Sequence, residues 1–132
     1  MAFRFILNLP VRSLPAALAF WDALGYAAHP QFRSDTAAAV MLDTDIAMML
    51  HEDASFLHNT DRRIADPATT TEAIVSFACP TRAAVDATII AALQHGAREF
   101  GHGADHGFIY HRSFVDPDGH QFEPFWMAPN NE

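Results

Sequence analysis

The stretch Asp116-Pro117-Asp118-Gly119-His120-Gln121-Phe122-Glu123 closes a strand pair near the C-terminal end of the chain. Asp-Pro-Asp-Gly is hairpin chemistry. Proline presets φ at the second turn position, and glycine takes the left-handed conformation that closes a bulged turn. Beyond the turn, strand alternation resumes and sets one carboxylate, Glu123, among Phe122, Phe125 and Trp126. An acid in such a strand is costly without a partner, a metal or a ligand. Glu123 is therefore the first candidate for a functional centre.

Outward from this hairpin, the chain reads as two similar halves. In the first, Phe3–Leu9 is strand-like, and Ser13 caps a helix over Leu14–Leu24, stopped at Gly25. Its expected buried stripe is Leu14, Leu18, Trp21 and Leu24. Extended pieces follow at Ala27–Phe32, Thr36–Leu42 and Ile46–His51, with a short helical turn over Asp53–His58. The polar segment Asn59–Thr71 is a connector. The order then repeats. Ala73–Cys79 is a strand, and Thr81 caps a helix to His95 with Val85, Ile89 and Leu93 expected inside. The segment Gly101–Gly107 is expected to be a mobile loop with solvated histidines. Strands Ile109–Val115 and Gln121–Trp126 flank the turn. Leu14, Leu18 and Gly25 map onto Val85, Ile89 and Gly96 at a constant shift, and Met49 maps opposite Glu123.

Composition narrows the function classes. The 132 residues are 50% hydrophobic, enough for one domain with a substantial core (module 1 about 1–58, connector 59–71, module 2 about 72–128). Net charge is −8 and the basic residues do not cluster, which argues against nucleic-acid or anionic-membrane partners. No segment has the length of a membrane span or the pattern of a signal peptide. A single cysteine, Cys79 in an apolar run, excludes an internal disulfide and a cysteine-based zinc site. A cytoplasmic setting is expected.

Three motifs carry a family resemblance: Asn8-Leu9-Pro10-Val11-Arg12-Ser13-Leu14, then Phe20-Trp21 with Leu24-Gly25-Tyr26, and finally Asp116 to Glu123. With them the chain resembles the vicinal oxygen chelate superfamily. That group includes glyoxalase I, the bleomycin- and fosfomycin-resistance proteins and the extradiol dioxygenases. The resemblance implies an α+β fold of two βαβββ modules, whose mixed sheet curls into a cup with helices outside. It also implies a homodimer. In metal-dependent relatives four side chains in the cup hold a divalent metal; the matching positions here are Ile6, Met49, Ile74 and Glu123. Isoleucine has no donor atom, and a thioether is too soft for oxygen chemistry with hard metals. No cofactor is expected.

Strand alternation then fills the cup. Arg4, Ile6 and Asn8 face inward, leaving Phe3, Phe5, Leu7 and Leu9 for the helix side. One wall is small and apolar: Ala37, Ala39, Ala47, Met49, Ile6 and Ile74. The other is polar, with His111, Ser113, Gln121 and Glu123, and with Asn8, His51 and Ser76 nearby; Met41 and Phe125 also face inward. A bulge at Gly119 sets Ser113 across from Glu123; a plain two-residue turn would set Arg112 there. Candidate ligand-binding residues are thus Asn8, Met49, His51, Ser76, His111, Ser113, Gln121 and Phe125, with Glu123 as candidate acid or base. Two function classes follow. One is a small-molecule-binding protein with a degenerate metal site. The other is a lyase or dioxygenase-like enzyme that uses relocated metal ligands, such as histidines beside Glu123, or Glu123 itself as general acid/base.

Overall fold

The computed structural model describes residues 3–129. They fall into two compact units that meet between Ala65 and Asp66. The first holds β1 (Phe5–Val11), α1 (Leu14–Ala23), β2 (Ala28–Arg33), β3 (Ala37–Met41), β4 (Ile46–Glu52) and the short helix α2 (Asp53–Phe56), continued by a 3₁₀ turn over Leu57–Asn59. Its open sheet runs β1-β4-β3-β2, with β1 parallel to β4 and the other pairs antiparallel. The second unit holds β5 (Ile74–Ala78), α3 (Arg82–Gln94), β6 (Arg98–Asp105), β7 (Ile109–Val115) and β8 (Gln121–Met127). Its sheet runs β5-β8-β7-β6, again with only the first pair parallel. Equal order and sense in the two sheets is what a duplicated βαβββ unit produces.

Both long helices start where the sequence places them. Ser13 Oγ accepts the Ala16 N–H at 3.3 Å, and Thr81 Oγ1 accepts the Ala84 N–H at 3.0 Å. A second cap on α1 comes from far along the chain: Glu52 Oε2 accepts the Leu14 N–H at 3.0 Å. The buried stripes differ from expectation. On α1 they are Leu14, Ala17, Phe20 and Trp21. Leu18 and Leu24 are only partly covered. On α3 they are Val85, Thr88, Ile89 and Ala92, while Leu93 is 42% exposed. The small Ala17 and Ala92 let each helix lie close to its sheet. Thr88 is tolerated inside because its hydroxyl donates to the Ala84 carbonyl at 2.8 Å.

The helix-side faces of the sheets form the cores. Ala38, Val40, Met48 and Leu50 are fully buried in the first unit; Phe114 and Phe122 stack across strands at 5.5 Å in the second. Burying such side chains contributes about 1.5–3 kcal/mol each. Cys79 is buried beside Thr88. Phe3 and Phe5 depart from the expected packing under a helix. Helix α1 lies on β3 and β4. Phe5 is 60% exposed, and Phe3 meets His29 and Phe32 edge-on.

The expected Gly101–Gly107 loop is in fact mostly strand. Its first residues belong to β6, which pairs with β7 through a bulge between Phe100 and Ala104. Gly103 makes this possible. Its φ is +71°, and a Cβ there would sit 2.3 Å from the His111 carbonyl oxygen. Gly101, at φ +67°, has open space around it. His102 and His106 are exposed, as expected.

The Asp116–Gly119 turn is bulged. Gly119 N–H donates to the Asp116 carbonyl and Asp116 N–H to the His120 carbonyl, both at 2.9 Å, with Gly119 at φ +93°. A Cβ on Gly119 would come within 2.6 Å of Pro67 in the connector. Asp116 organises the loop from inside: its Oδ1 accepts the N–H groups of Asp118 (3.0 Å) and His120 (2.8 Å). The residue is 7% exposed. Burial raises its pKa to about 6, against the opposing pull of the His120 charge and the two backbone donors.

Two predictions follow from these turns. Asp116 has a raised folded pKa, so its share of stability is complete below about pH 4 and lost as pH rises through about 6. A rise from 3.8 to about 6 corresponds to a loss of about 3 kcal/mol. Asp116→Asn keeps the Oδ1 acceptor and removes the charge. Urea denaturation from pH 4 to 8 should show the variant gaining on wild type as pH rises; parallel curves would refute the assignment. At the β6 bulge, Gly101→Ala should cost about 1–2 kcal/mol from backbone strain alone. Gly103→Ala should cost at least about 2 kcal/mol more, because the clash is with backbone. Equal losses in the two variants would mean that the close approach to His111 does not constrain the strand.

Candidate functional site

Residues paired across a ladder share a face, so the register tables the side chains on each sheet directly. In the first unit β1 pairs β4 as Ile6↔Ala47 and Asn8↔Met49, and β3 pairs β4 as Ala37↔His51, Ala39↔Met49 and Met41↔Ala47. The face away from α1 is therefore small and apolar, with Asn8 and His51 as its polar pair. Asn8 Oδ1 lies 2.8 Å from His51 Nε2. An amide oxygen only accepts, so Nε2 carries the proton and Nδ1 is left as a bare acceptor, buried with no hydrogen-bond partner. Burial also holds the His51 pKa below its ordinary value, favouring the neutral ring. Arg4 instead forms a long, exposed pair with Asp45 at 3.9 Å.

In the second unit the face away from α3 is a grid. Ile74, Gln121, Val115 and Arg98 form one row across β5-β8-β7-β6. Ser76 pairs with Glu123, and Phe100 with Ser113. The flanking pairs Phe114↔Phe122 and His111↔Phe125 set Ser113 opposite Glu123. The middle row is thus Ser76–Glu123–Ser113–Phe100. Ala78, Phe125, His111 and Ala104 make the third.

Glu123 is held at the centre of this grid. Ser76 Oγ donates to Oε1 at 3.4 Å, and Ser113 Oγ to Oε2 at 3.3 Å. His111 Nδ1 lies 3.5 Å from Oε2, yet it is buried without a hydrogen bond. Contact distance is met there and alignment is not. Glu123 and His111 are each about a quarter exposed (27% and 26%). The carboxylate is neither fully buried nor free in water, and among the described residues no arginine pairs with it.

Arg112, the alternative neighbour of Glu123, points to the helix side. Its guanidinium donates to both Glu99 oxygens and to Asp86, all at 2.8 Å. The Glu99 hydrogen bonds, ahead of those to Asp86, raise its pKa. Tyr110 joins the same network through Asp86 at 2.6 Å. Arg82 grips Asp105 at 2.7 and 3.0 Å and lies over the Trp126 ring. Its hydrogen bonds, with that of the Gly107 N–H, hold the Asp105 pKa down to about 2. These pairs lock α3 onto β6, β7 and β8, and they hold Arg82 and Arg112 away from the grid, where Arg98 remains in the row beside Glu123.

The sequence-predicted residues Asn8, Met49 and His51 thus share one face of the first unit. Ser76, His111, Ser113, Gln121, Glu123 and Phe125 share one face of the second. Phe100 was missed. It is 56% exposed and stands in the Glu123 row. The alternation of Glu99 and Phe100 was the available signal, masked by the glycines that follow. Among the described residues, no three His, Cys, Asp or Glu side chains gather to hold a metal, and no helix is long and apolar enough to cross a membrane.

No protein-family model matches the sequence, and no curated protein matches it. Solved structures do match. A hypothetical protein from S. aureus superposes with a TM-score of 0.77 at 21% identity, over 98% of this chain and 92% of that one. A glyoxalase/bleomycin resistance protein/dioxygenase family enzyme from Burkholderia phytofirmans gives 0.76 at 16% identity, over 93% and 97%. The bleomycin resistance determinant encoded on the transposon Tn5 gives 0.60 at 17% identity, over 94% and 97%. At these identities the likeness is one of fold. This chain has the fold of the glyoxalase/bleomycin resistance/dioxygenase structures, the fold expected of the vicinal oxygen chelate superfamily.

Proposed function

We propose that this chain is a small-molecule-binding protein of the glyoxalase/bleomycin resistance type with a degenerate metal site. One observation carries the proposal. Glu123 is a partly shielded carboxylate between two serines on its sheet face, and among the described residues it is held by two long serine hydrogen bonds and a misaligned histidine. Such a group keeps unused acceptor capacity for a ligand. Three of the four positions that ligate metal in metal-dependent relatives are Ile6, Met49 and Ile74 here, and one carboxylate does not make a site. Ligand contacts are assigned to Asn8, Met49 and His51 on the first unit and to Ser76, His111, Ser113, Gln121 and Phe125 on the second. The same proposal takes the chain as a cytoplasmic homodimer without cofactor. Light scattering giving the mass of one chain would remove the dimer from it.

The adjacency of His111 and Glu123 favours a second reading. A carboxylate and an imidazole 3.5 Å apart can pass a proton once a ligand aligns them. Glu123 would then be a general acid/base in a lyase-type reaction.

The tests separate these readings. Protein purified without nickel resin should carry less than about 0.1 equivalent of Ni, Zn, Fe or Mn by elemental analysis, because a catalytic site of the zinc type needs three protein ligands. A stoichiometric metal bound through Glu123 would overturn the degenerate-site proposal and revive the metal-dependent enzyme. Calorimetry with bleomycin and a panel of cationic, neutral and anionic aromatics should find at least one ligand that Glu123→Gln weakens by about 1.5–3 kcal/mol. Binding indifferent to that substitution would leave Glu123 a structural residue.

A further inference from the structure

Glu123 lies in a straight row across four strands: Ser76, Glu123, Ser113, Phe100. The row reads hydroxyl, carboxylate, hydroxyl, aromatic ring. Both hydroxyls spend their protons on the carboxylate, one per oxygen, at 3.4 and 3.3 Å. Each carboxylate oxygen keeps a free lone pair. The next group along, His111 Nδ1, is buried, without a hydrogen bond, 3.5 Å from Oε2. The centre of the face therefore offers acceptors. Around it lie apolar side chains, Phe100 and Ile74 at 56% and 55% exposed and Phe125 adjoining His111, with Gln121 and Arg98 in the Ile74 row.

The chain contains no lysine, Arg112 and Arg82 are engaged elsewhere, and Arg98, at the β6 end of the neighbouring row of this face, makes no ion pair with Glu123 among the described residues. Arg112 is turned to the helix side by Glu99 and Asp86, and Arg82 by Asp105. Within the chain, His111 is the one cation-capable side chain in ion-pair range of Glu123 among the described residues. A carboxylate left without a fixed cation, with a ring one strand beyond its serine neighbour, suits a ligand that brings the positive charge itself.

We infer that the Glu123 row selects a protonated aromatic amine, with its ammonium N–H groups between Glu123 and the His111 imidazole and its apolar body along Phe100. This rests on the small-molecule-binding function proposed above and adds the ligand class. An ammonium supplies N–H donors, which the carboxylate accepts; the His111 Nδ1 accepts one in the tautomer that carries its proton on Nε2. A quaternary ammonium supplies charge alone. A carboxylate ligand would meet Glu123 as a like charge.

The probe is 2-phenylethylamine, compared with its N,N,N-trimethyl derivative, 2-phenylethanol and 3-phenylpropionate, in NMR titrations of the labelled protein. The amine should shift the amides of Ser76, Phe100 and Ser113, and it should bind at least about tenfold more tightly than the alcohol or the acid, as one charge-assisted hydrogen bond requires. The quaternary derivative should fall between. Glu123→Gln should remove at least about tenfold of the amine affinity and leave the alcohol unchanged. Phe100→Ala alters an exposed ring, so the fold is retained; it should weaken 2-phenylethylamine several-fold and leave butylamine unaffected. Equal binding of amine and acid, or an amine affinity indifferent to Glu123→Gln, overturns the ligand class. If the alcohol or the acid binds this face in preference, small-molecule binding stands and amine selection fails. If none of the four probes nor the bleomycin panel shifts these amides, both fail.

Discussion

The geometry of the candidate site depends on a single turn. Between β7 and β8 the chain reverses through Asp116-Pro117-Asp118-Gly119, and the glycine bulge sets the register of everything that follows. A slip of one residue exchanges the two faces of a strand. It would take Ser113 away from Glu123 and bring Arg112 into its place. The turn is accordingly overdetermined. Asp116 holds it from within through two backbone hydrogen bonds, and Pro67 packs so closely on Gly119 that no side chain fits there. A buried carboxyl is an expensive device for this purpose, which indicates how much rests on the loop's shape.

With register set, the sheet of the second unit sorts its chemistry by face. Toward α3 lie Phe114, Phe122 and the arginine network of Arg112 with Asp86 and Glu99. Opposite lies the grid around Glu123. The ion pairs do more than fasten the helix: they hold the Arg112 and Arg82 guanidinium groups on the helix side, which leaves Arg98, in the neighbouring row, as the arginine on the grid face. An arginine on Glu123 would have closed its acceptor capacity. Its two serines, at 3.3 and 3.4 Å, leave that capacity largely open.

The fold persists with little shared sequence, since the structural neighbours described above are 16–21% identical. What such a fold requires is modest: two βαβββ units, each with a capped helix, one parallel strand pair and tight turns. Those demands fall on a few residues, such as Ser13, Thr81 and the turn glycines. The sheet faces away from the helices are free to change. Here those faces carry Ile6 and Met49 in the first unit and Ile74 and Glu123 in the second.

Periodicity, caps and turn residues determined the element order, the duplication and the division of each strand into two faces, because these follow from local backbone chemistry. The bulge that brings Ser113 to Glu123 was legible in Asp-Pro-Asp-Gly for the same reason. Only the tertiary structure decided which helix residues are buried: Ala17 and Phe20 displace Leu18 and Leu24, since the rotation of a helix depends on its fit to the sheet. It likewise showed Gly101 and Gly103 inside a bulged strand, because a close approach to the His111 carbonyl has no local signature. That strand adds Phe100 to the Glu123 row. The partners of Arg112 were also beyond sequence, since Asp86 and Glu99 reach it only once α3 and β6 have packed against β7.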